Sequence, residues 1–506
     1  MEIPFLSPHP QKIRSNNKTM KLPMNISVKS NISKDPQLIF LKNDLKQLGG
    51  VKILSSGGFQ ISLMKQKIKA KSEEAYTLEI TSKGAKIKSN SNKGLFYGIQ
   101  TFLQLFLLNE DGKIPLVLIE DCPQYNTRSF MIDLGRSTFS FEYIKRIIRI
   151  LSRLKMNTLH IHLCDDQLGG LRFKKLPLGK ENPYAITIAE LKKIVTYARK
   201  YHVTIIPEVE CWGHAGSMIY HYPELLGGPG MWGGASFAIG EKLYELFDKV
   251  FDELIPVLEK DCQIHVGLDE AIWILCKSIP EEKKKEYTPS TLVQRIYEIL
   301  ESKGKKYKKN IKMHLWADHG GRPIPKHIQD KVVVQPWMYF ECREDDITEK
   351  IKRFSGKNKT PFLMGGGMSS RHYHGHFGAT KIWCEKGMKS PNVEGVTICM
   401  WEGNDLSSHM AGLYGGANCA WNPKAPNLNY QKNDTYREKS YGLLEWYMRT
   451  WQQIFQDADT EAINEDRGPE VNRGFFCWGK NAGKEVAPTA NLTFERDMTD
   501  AENMEQ

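Results

Sequence analysis

Eight short apolar runs, most of them separated by an amphipathic stretch, constrain this chain more than any other feature. They read SFMIDL (129–134), NTLHIHLC (157–164), VTIIPEVE (203–210) and CQIHVGL (262–268), then IKMHLWAD (311–318), KVVVQPW (331–337), PFLMG (361–365) and GVTICMW (395–401). Brief apolar runs bounded by polar segments are strand signals. The stretch after the first shows what lies between them: in FEYIKRIIRILSRL (141–154), Phe141, Ile144, Ile147, Ile148, Leu151 and Leu154 form one helical stripe. Strand and helix alternating over roughly 300 residues argue for a (β/α)8 barrel, which places its site at the C-terminal strand ends. An open doubly wound sheet is the alternative, but no glycine-rich phosphate turn follows the first strand.

Ahead of the barrel, residues 38–125 read as a small α+β unit. YTLEITSKGAKIKS (76–89) alternates apolar and polar residues around a Ser-Lys-Gly turn, a hairpin signal, and KGLFYGIQTFLQLFLL (93–108) has helical apolar spacing. DCPQYNTR (121–128) reads as a linker. The expected organisation is therefore α/β: a (β/α)8 TIM barrel over 126–425, preceded by an N-terminal α+β domain over 1–125 whose opening residues, to about 35, are irregular. Residues 426–506 follow as a Trp- and Tyr-rich helical stretch, EKSYGLLEWYMRTWQQIF, and a polar tail.

Composition narrows the class. At 41% hydrophobic and 25% charged residues, the 506-residue chain matches a globular protein with a large core. No apolar run approaches the length of a membrane span, and MEIPFLSPHPQKIRSNNK has no uninterrupted apolar segment, so neither a membrane partner nor a signal peptide is expected. The 10 cysteines are scattered without a CxxC pair, and several fall inside expected strands, which favours reduced thiols and a cytoplasmic protein. In that setting the Asn-x-Ser/Thr matches at Asn25, Asn31 and Asn491 carry no meaning. Much of the net charge of +11 comes from lysine runs such as EEKKKEY (281–287) and KGKKYKKN (303–310), read as solvated surface beside a helix. No nucleic-acid motif accompanies them, so no nucleic-acid partner is expected. Acidic or sulfated glycans stay open.

If the eight runs are barrel strands, polar residues converge on one rim. Arg136 follows the first, Asp165 and Asp166 the second, Glu208, Glu210 and His214 the third, and Asp269 and Glu270 the fourth. Trp316, Trp337 and Trp401 end the fifth, sixth and eighth. Each has an ordinary reading: an Arg beside carboxylates is often a structural ion pair, and a Trp near a barrel end often packs. Their convergence is what points to a site, with tryptophan faces suited to the apolar C–H face of a pyranose. The adjacent acids of IHVGLDEAIW (264–273) raise a separate question. A two-carboxylate glycosidase sets its acids on opposite faces of the sugar, which neighbours in sequence do not do.

IDLGRSTFS, NTLHIHLCDDQ, IIPEVECWGHA and HVGLDEA stand in the order and style of the family 20 glycoside hydrolases, the β-N-acetylhexosaminidases, and the chain resembles that family across the barrel and the unit before it. The resemblance implies removal of terminal β-linked GlcNAc or GalNAc from glycans or glycoconjugates, with retention, using the substrate's 2-acetamido group as nucleophile and needing neither cofactor nor metal. Adjacent acids then make sense. Glu270 acts as general acid and then as base, while Asp269 accepts the acetamide N–H and stabilises the developing positive charge. Carried over by position, Arg136 binds sugar hydroxyls, Asp165 and His214 support the acid from behind, and Trp316, Trp337 and Trp401 line the pocket. Three departures stand out. Glu210-Cys211-Trp212-Gly213-His214 replaces the family's Asp followed by Pro-Gly-His; MGGGMSSRHYHGHF (364–377) lacks the usual Tyr-x-Asp; and Glu402 directly follows Trp401 where Trp-x-Glu is common. WMYFE, FGATKIW and MWEGND are closer to the hexosaminidase D branch, which implies Tyr339 as the acetamide contact and Glu402 or Asp405 at the 4- and 6-hydroxyls.

Two rival readings come from other classes. His160 and His162 share a face at the end of a barrel strand, and with His214, His319 and RHYHGH (371–376) they could supply a metal-dependent amidohydrolase-type centre. A carbohydrate-binding barrel without activity is the other. The choice between GlcNAc and GalNAc, the aglycone and the oligomeric state are not legible in the sequence.

Overall fold

The structure is a computed structural model. It describes residues 6–32, 36–47, 49–70, 72–107, 112–230, 234–271, 279–317, 324–356, 359–367, 377–401 and 406–426. Glu402, Asp405, His319, the RHYHGH segment and the tail beyond 426 lie outside them.

The N-terminal unit is a seven-stranded sheet carrying two helices. In chain order it comprises β1 (Lys12–Lys21), β2 (Asn25–Ser30), α1 (Pro36–Gln47), β3 (Lys52–Leu54), β4 (Phe59–Lys65), β5 (Tyr76–Thr81), β6 (Gly84–Ser89), α2 (Asn92–Leu107) and β7 (Lys113–Asp121). The sheet order is β1-β7-β5-β6-β4-β2-β3. The expected hairpin is β5–β6, paired Tyr76 to Ser89 through Thr81 to Gly84. The opening residues are not irregular as expected. β1 pairs antiparallel with β7, about a hundred positions away, and β2 lies between β3 and β4. β1 is an exposed, lysine-rich edge strand with weak alternation, and β2 is only six residues long, so their partners are what reveal them.

All eight apolar runs become strands of one closed barrel. They are β8 (Thr127–Asp133), followed by α3 (Phe141–Arg153); β9 (Thr158–His162), followed by the short parallel pair β10 (Leu171–Arg172) and β11 (Ile186–Thr187) and by α4 (Ile188–Lys200); and β12 (Thr204–Glu208). After β12 come α5 (Gly216–Ile219), the hairpin β13 (Leu226–Pro229) and β14 (Ala235–Phe237), and α6 (Glu241–Leu254). The circuit continues with β15 (Asp261–His265), α7 (Pro289–Tyr307), β16 (Asn310–Trp316), β17 (Val332–Gln335), α8 (Glu344–Phe354), β18 (Phe362–Gly367), α9 (Gly378–Gly387), β19 (Val393–Met400) and α10 (Leu406–Trp421). β19 pairs with β8 and closes the ring. Helix starts follow local chemistry: Ser140 caps α3 by accepting from Tyr143 N, and Thr187 with Glu190 forms a capping box at α4.

Register decides what fills the barrel. Met131 pairs with His160, Asp133 with His162, His162 with Glu208, Glu208 with His265, and His265 with His314. Because side chains alternate along a strand, these residues share the interior face. The upper bore is therefore polar, while the helices' apolar stripes close over the outside.

α2 explains its own composition. Its residues Gly94–Phe106 are all buried, since the helix lies between the sheet and the barrel, with Phe96 against His202 and Tyr97 against Trp421. Two buried polar clusters join the units. Arg128 reaches Glu74 at 2.7 Å, and Lys93 pairs with the same carboxylate. Lys155 Nζ lies 2.8 Å from the Tyr76 hydroxyl and 3.1 Å from Asp121, which also accepts from Trp421 Nε1.

Candidate active site

The centre is built around Glu208, the last residue of β12, which is fully buried. Its Oε2 accepts from His162 Nδ1 at 2.8 Å and lies 3.0 Å from His160 Nε2. Its Oε1 accepts from Trp316 Nε1 at 2.5 Å and lies 2.9 Å from His265 Nδ1. Burial alone would raise its pKa, but the imidazoles of His265, His162 and His160 overcome that and hold the carboxyl well below the usual range. The last turns of β9, β15 and β16 are tied to one anion.

His160 and His162, two residues apart, end in opposite states. Burial pushes His160 down to about 4, against the pull of Glu208, so it is neutral. His162 is equally buried but bridges two carboxylates, Glu208 through Nδ1 and Asp165 through Nε2, each at 2.8 Å. Against the desolvation, the Glu208 charge and the bonds to Asp165 and Glu208 raise it to about 10. It is an imidazolium at neutral pH.

Asp165 passes this order outward. It contacts Arg136 Nη2 at 2.7 Å, His162 at 2.8 Å and His214 Nδ1 at 3.3 Å. Its burial favours the neutral form, but Arg136 and His214 win and keep it ionised. Arg136 also pairs with Asp133 at 3.1 Å and lies over the Trp401 ring at 5.4 Å. Asp166 Oδ1 accepts from the Gly216 and Ala235 amides, which moors the loop after β12, while its Oδ2 sits 3.2 Å from His214 Nδ1. His214, in left-handed backbone at φ 48°, turns its other edge to the acid pair: Nε2 is 3.1 Å from Glu270 Oε2 and 3.8 Å from Asp269 Oδ2. Despite burial, Asp165, Asp166 and Glu270 raise His214 well above the usual histidine range.

An aromatic wall faces these groups. Trp316, with Met131 and Cys399, forms a small interior core against which Trp337, Tyr339 and Trp401 pack. Trp337 and Tyr339 stack at 5.2 Å, and Trp316 and Trp401 lie 5.7 Å apart. Burial first, then Cys399 and the charge of Asp269, raise the pKa of the Tyr339 hydroxyl well above the usual tyrosine value.

Of the residues singled out in the sequence, the fold brings together Arg136, Asp165, His214, Asp269, Glu270, Trp316, Trp337, Tyr339 and Trp401. Sequence reasoning passed over Asp133 and His265. Both carried a signal: each is a polar residue in an apolar strand run, in phase with other interior positions.

The groups His160–Glu208–His265, His162–Glu208–Glu210 and Asp165–Asp166–His214 have the composition of metal ligands. In the first two groups the pairs are too close: ligands about 2.0–2.1 Å from a tetrahedral zinc stand roughly 3.3 Å apart, whereas Glu208 lies 2.8 Å from His162, 3.0 Å from His160 and 2.9 Å from His265. In the third, Asp165 and Asp166 lie 3.3 and 3.2 Å from His214 Nδ1, a ligand-like spacing, and there it is the raised proton affinity of His214 that opposes a metal. An imidazolium also has no lone pair to give a metal.

Comparison with known proteins agrees with the architecture. The family model described as "Glycosyl hydrolase family 20, catalytic domain" matches residues 125–353, and "Glycosyl hydrolase family 20, domain 2" matches residues 4–122. A β-hexosaminidase of Porphyromonas gingivalis is 29% identical over 272 residues, covering 46% of this chain and 35% of the relative. A β-hexosaminidase subunit beta of Entamoeba histolytica is 29% identical over 279 residues, covering 49% and 48%. The chain thus spans about half or less of the length of these curated relatives. Among solved structures, a Flavobacterium johnsoniae chitobiase superposes with a TM-score of 0.70 at 21% identity, covering 91% of this chain and 76% of that one. Among the described residues, no helix is long and apolar enough to cross a membrane.

Proposed function

The chain belongs to glycosyl hydrolase family 20, and on that premise we propose that it is a retaining exo-β-N-acetylhexosaminidase. It removes terminal β-linked GlcNAc or GalNAc from glycans or glycoconjugates, with the sugar's own 2-acetamido group as nucleophile. One observation carries this reading. Asp269 and Glu270 both turn toward the same imidazole nitrogen, 3.8 and 3.1 Å away, so they share one side of the site. Two acids that bracket a sugar ring would stand apart on opposite faces. Acids on one side suit a substrate that brings its own nucleophile.

Glu270 then protonates the leaving oxygen, and the His214 imidazolium steadies the carboxylate that remains. The same carboxylate next takes a proton from the incoming water. Asp269 accepts the acetamide N–H, aims its oxygen at the anomeric carbon and balances the positive charge of the cyclised intermediate. Tyr339, beside Asp269, hydrogen-bonds the acetamide oxygen. Trp316, Trp337 and Trp401 enclose the methyl group and the sugar face, while Arg136, with Asp165 behind it, addresses ring hydroxyls. Glu402 and Asp405 are proposed for the outer hydroxyls on sequence grounds alone. Among the described residues eight cysteines are free and six of them are buried, which supports the cytoplasmic setting expected from the sequence. The short contacts around Glu208 and the raised proton affinities of His162 and His214 argue against the metal-dependent reading.

Side-by-side assay of the p-nitrophenyl β-glycosides of GlcNAc, GalNAc, 6-sulfo-GlcNAc and glucose tests the proposal. Turnover of the N-acetyl sugars with at most trace turnover of glucose is expected, together with strong inhibition by GlcNAc-thiazoline. Glu270→Gln should lose about 10²–10⁴-fold on substrates with poor leaving groups. Efficient hydrolysis of the glucoside, or a covalent adduct of a 2-fluoro sugar on either acid, would overturn the mechanism.

A further inference from the structure

Glu210 lies two residues beyond β12, fully buried, at a position where the family motif carries an aspartate. Beyond the strand ends, the β12–β15 pairing continues through Val209 N to His265 O at 3.0 Å and Cys211 N to Val266 O at 3.1 Å. There the second chain leaves the ladder. Gly267 and Leu268 adopt left-handed backbone, φ 61° and 74°, and Glu270 does so again at 48°. Left-handed geometry at a buried leucine is strained and persists only where the surroundings impose it. Two features impose it here. Glu210 Oε2 accepts from Leu268 N at 3.3 Å, standing in for the lost ladder partner. Gly267 leaves the space this requires, since a Cβ there would fall 1.9 Å from the same oxygen. On the far side, Trp316 N holds Gly267 O at 3.0 Å.

We propose that Glu210 is a positioning residue, whose carboxyl seats the Gly267–Leu268 turn and through it sets where Asp269 and Glu270 stand. The assignment rests on the catalytic roles proposed above for that pair. Reach is the reason for glutamate: an aspartate carboxyl on the same backbone falls about one methylene short of Leu268 N. Charge is the second part. Burial, then the neighbouring Asp269 and Glu208, push the Glu210 carboxyl well above the usual range, which favours its neutral form. In that form it clamps the turn without adding an anion beside Asp269.

The variants Glu210→Gln, Glu210→Asp and Gly267→Ala separate shape from charge. Glutamine keeps the length, the neutrality and an acceptor, so kcat should stay within about 3-fold of wild type and the pH–rate profile should not move. Aspartate withdraws the acceptor, and the alanine Cβ displaces it. Each should lower kcat by about 10²-fold, the penalty of a misplacement near 1 Å, with KM changed less than about 3-fold. Hydrogen exchange reads the clamp without any substrate. The Leu268 amide should be protected in wild type and Glu210→Gln, and exposed in Glu210→Asp at temperatures where the protein remains folded. Wild-type kcat and Leu268 protection in Glu210→Asp would overturn the proposal. So would a Glu210→Gln variant as impaired as Glu210→Asp, or one with a displaced pH profile, because Glu210 would then act as a titrating group. A wild-type protein inactive on both N-acetyl glycosides sinks the functional reading instead, and the exchange experiment still decides the clamp.

Discussion

Replacing Glu208 by glutamine should cost the folded protein about 3–5 kcal/mol, the range for breaking a buried ion pair from one side. The magnitude can be worked from His162. Its rise from 6.5 to about 10, at 1.36 kcal/mol per pH unit, corresponds to about 5 kcal/mol favouring the imidazolium. Glu208 raises it through both its charge and its bond at 2.8 Å, and Asp165 mainly through its bond at the same distance, so at least about half of that belongs to Glu208. The Trp316 N–H, 2.5 Å from Oε1, adds about 1.5–3 kcal/mol as a bond to a charged acceptor. Glutamine supplies one acceptor oxygen and an NH2 group, and the NH2 must face a donor. Urea unfolding at pH 7, followed by tryptophan fluorescence, measures the loss. The pH dependence carries the sign. His162 has a raised folded pKa, so its stabilisation is complete below 6.5 and disappears as pH climbs through about 10. Wild type should lose stability across that window, and Glu208→Gln should lose much less. NMR of the labelled imidazole should find His162 titrating at least one pH unit lower in the variant. A stability loss under about 1 kcal/mol, or an unchanged alkaline slope, would refute the view of Glu208 as the anion that orders the bore.

Tyr339→Phe removes the hydroxyl next to Trp401 and Asp269. kcat on p-nitrophenyl GlcNAc should fall by about 10²-fold, the low end of the 10²–10³-fold seen for loss of a positioned donor, while the melting temperature stays near wild type. Lys155→Met leaves Asp121 buried without its cation, and denaturant unfolding should show a loss of about 3 kcal/mol. Adding Asp121→Asn should recover part of it, since the anion goes too. Prolonged dipicolinate treatment should leave glycosidase activity unchanged, and chelator-sensitive activity restored by zinc would revive the metal-dependent reading.

Much of the architecture was legible because it is written in short-range pattern. A β-strand alternates every second residue and a helix every third or fourth, so the eight runs and the stripe from Phe141 to Leu154 announced themselves without partners. Strands β1 and β2 did not. The exposed polar run of β1 masks any alternation, β2 is too short to show one, and what makes them strands is pairing with β7, β3 and β4. α2 was recognisable as a helix, but its burial on all sides between sheet and barrel was not.

The same division runs through the site. Sequence alone determined that Asp269 and Glu270 are neighbours past the fourth strand, and that Arg136, Asp165 and His214 follow three others, because position within a strand is a covalent fact. Which rim residues touch was decided by register, which set His162 opposite Glu208 and gave one carboxylate its four neighbours. Charge was decided there too. His160 and His162 share a strand and a face, yet one falls to about 4 and the other rises to about 10. Desolvation acts on both, and only His162 has a carboxylate on each side. An ionisation state is a sum over charges within a few ångströms, and here those charges come from strands that only closure of the barrel brings together.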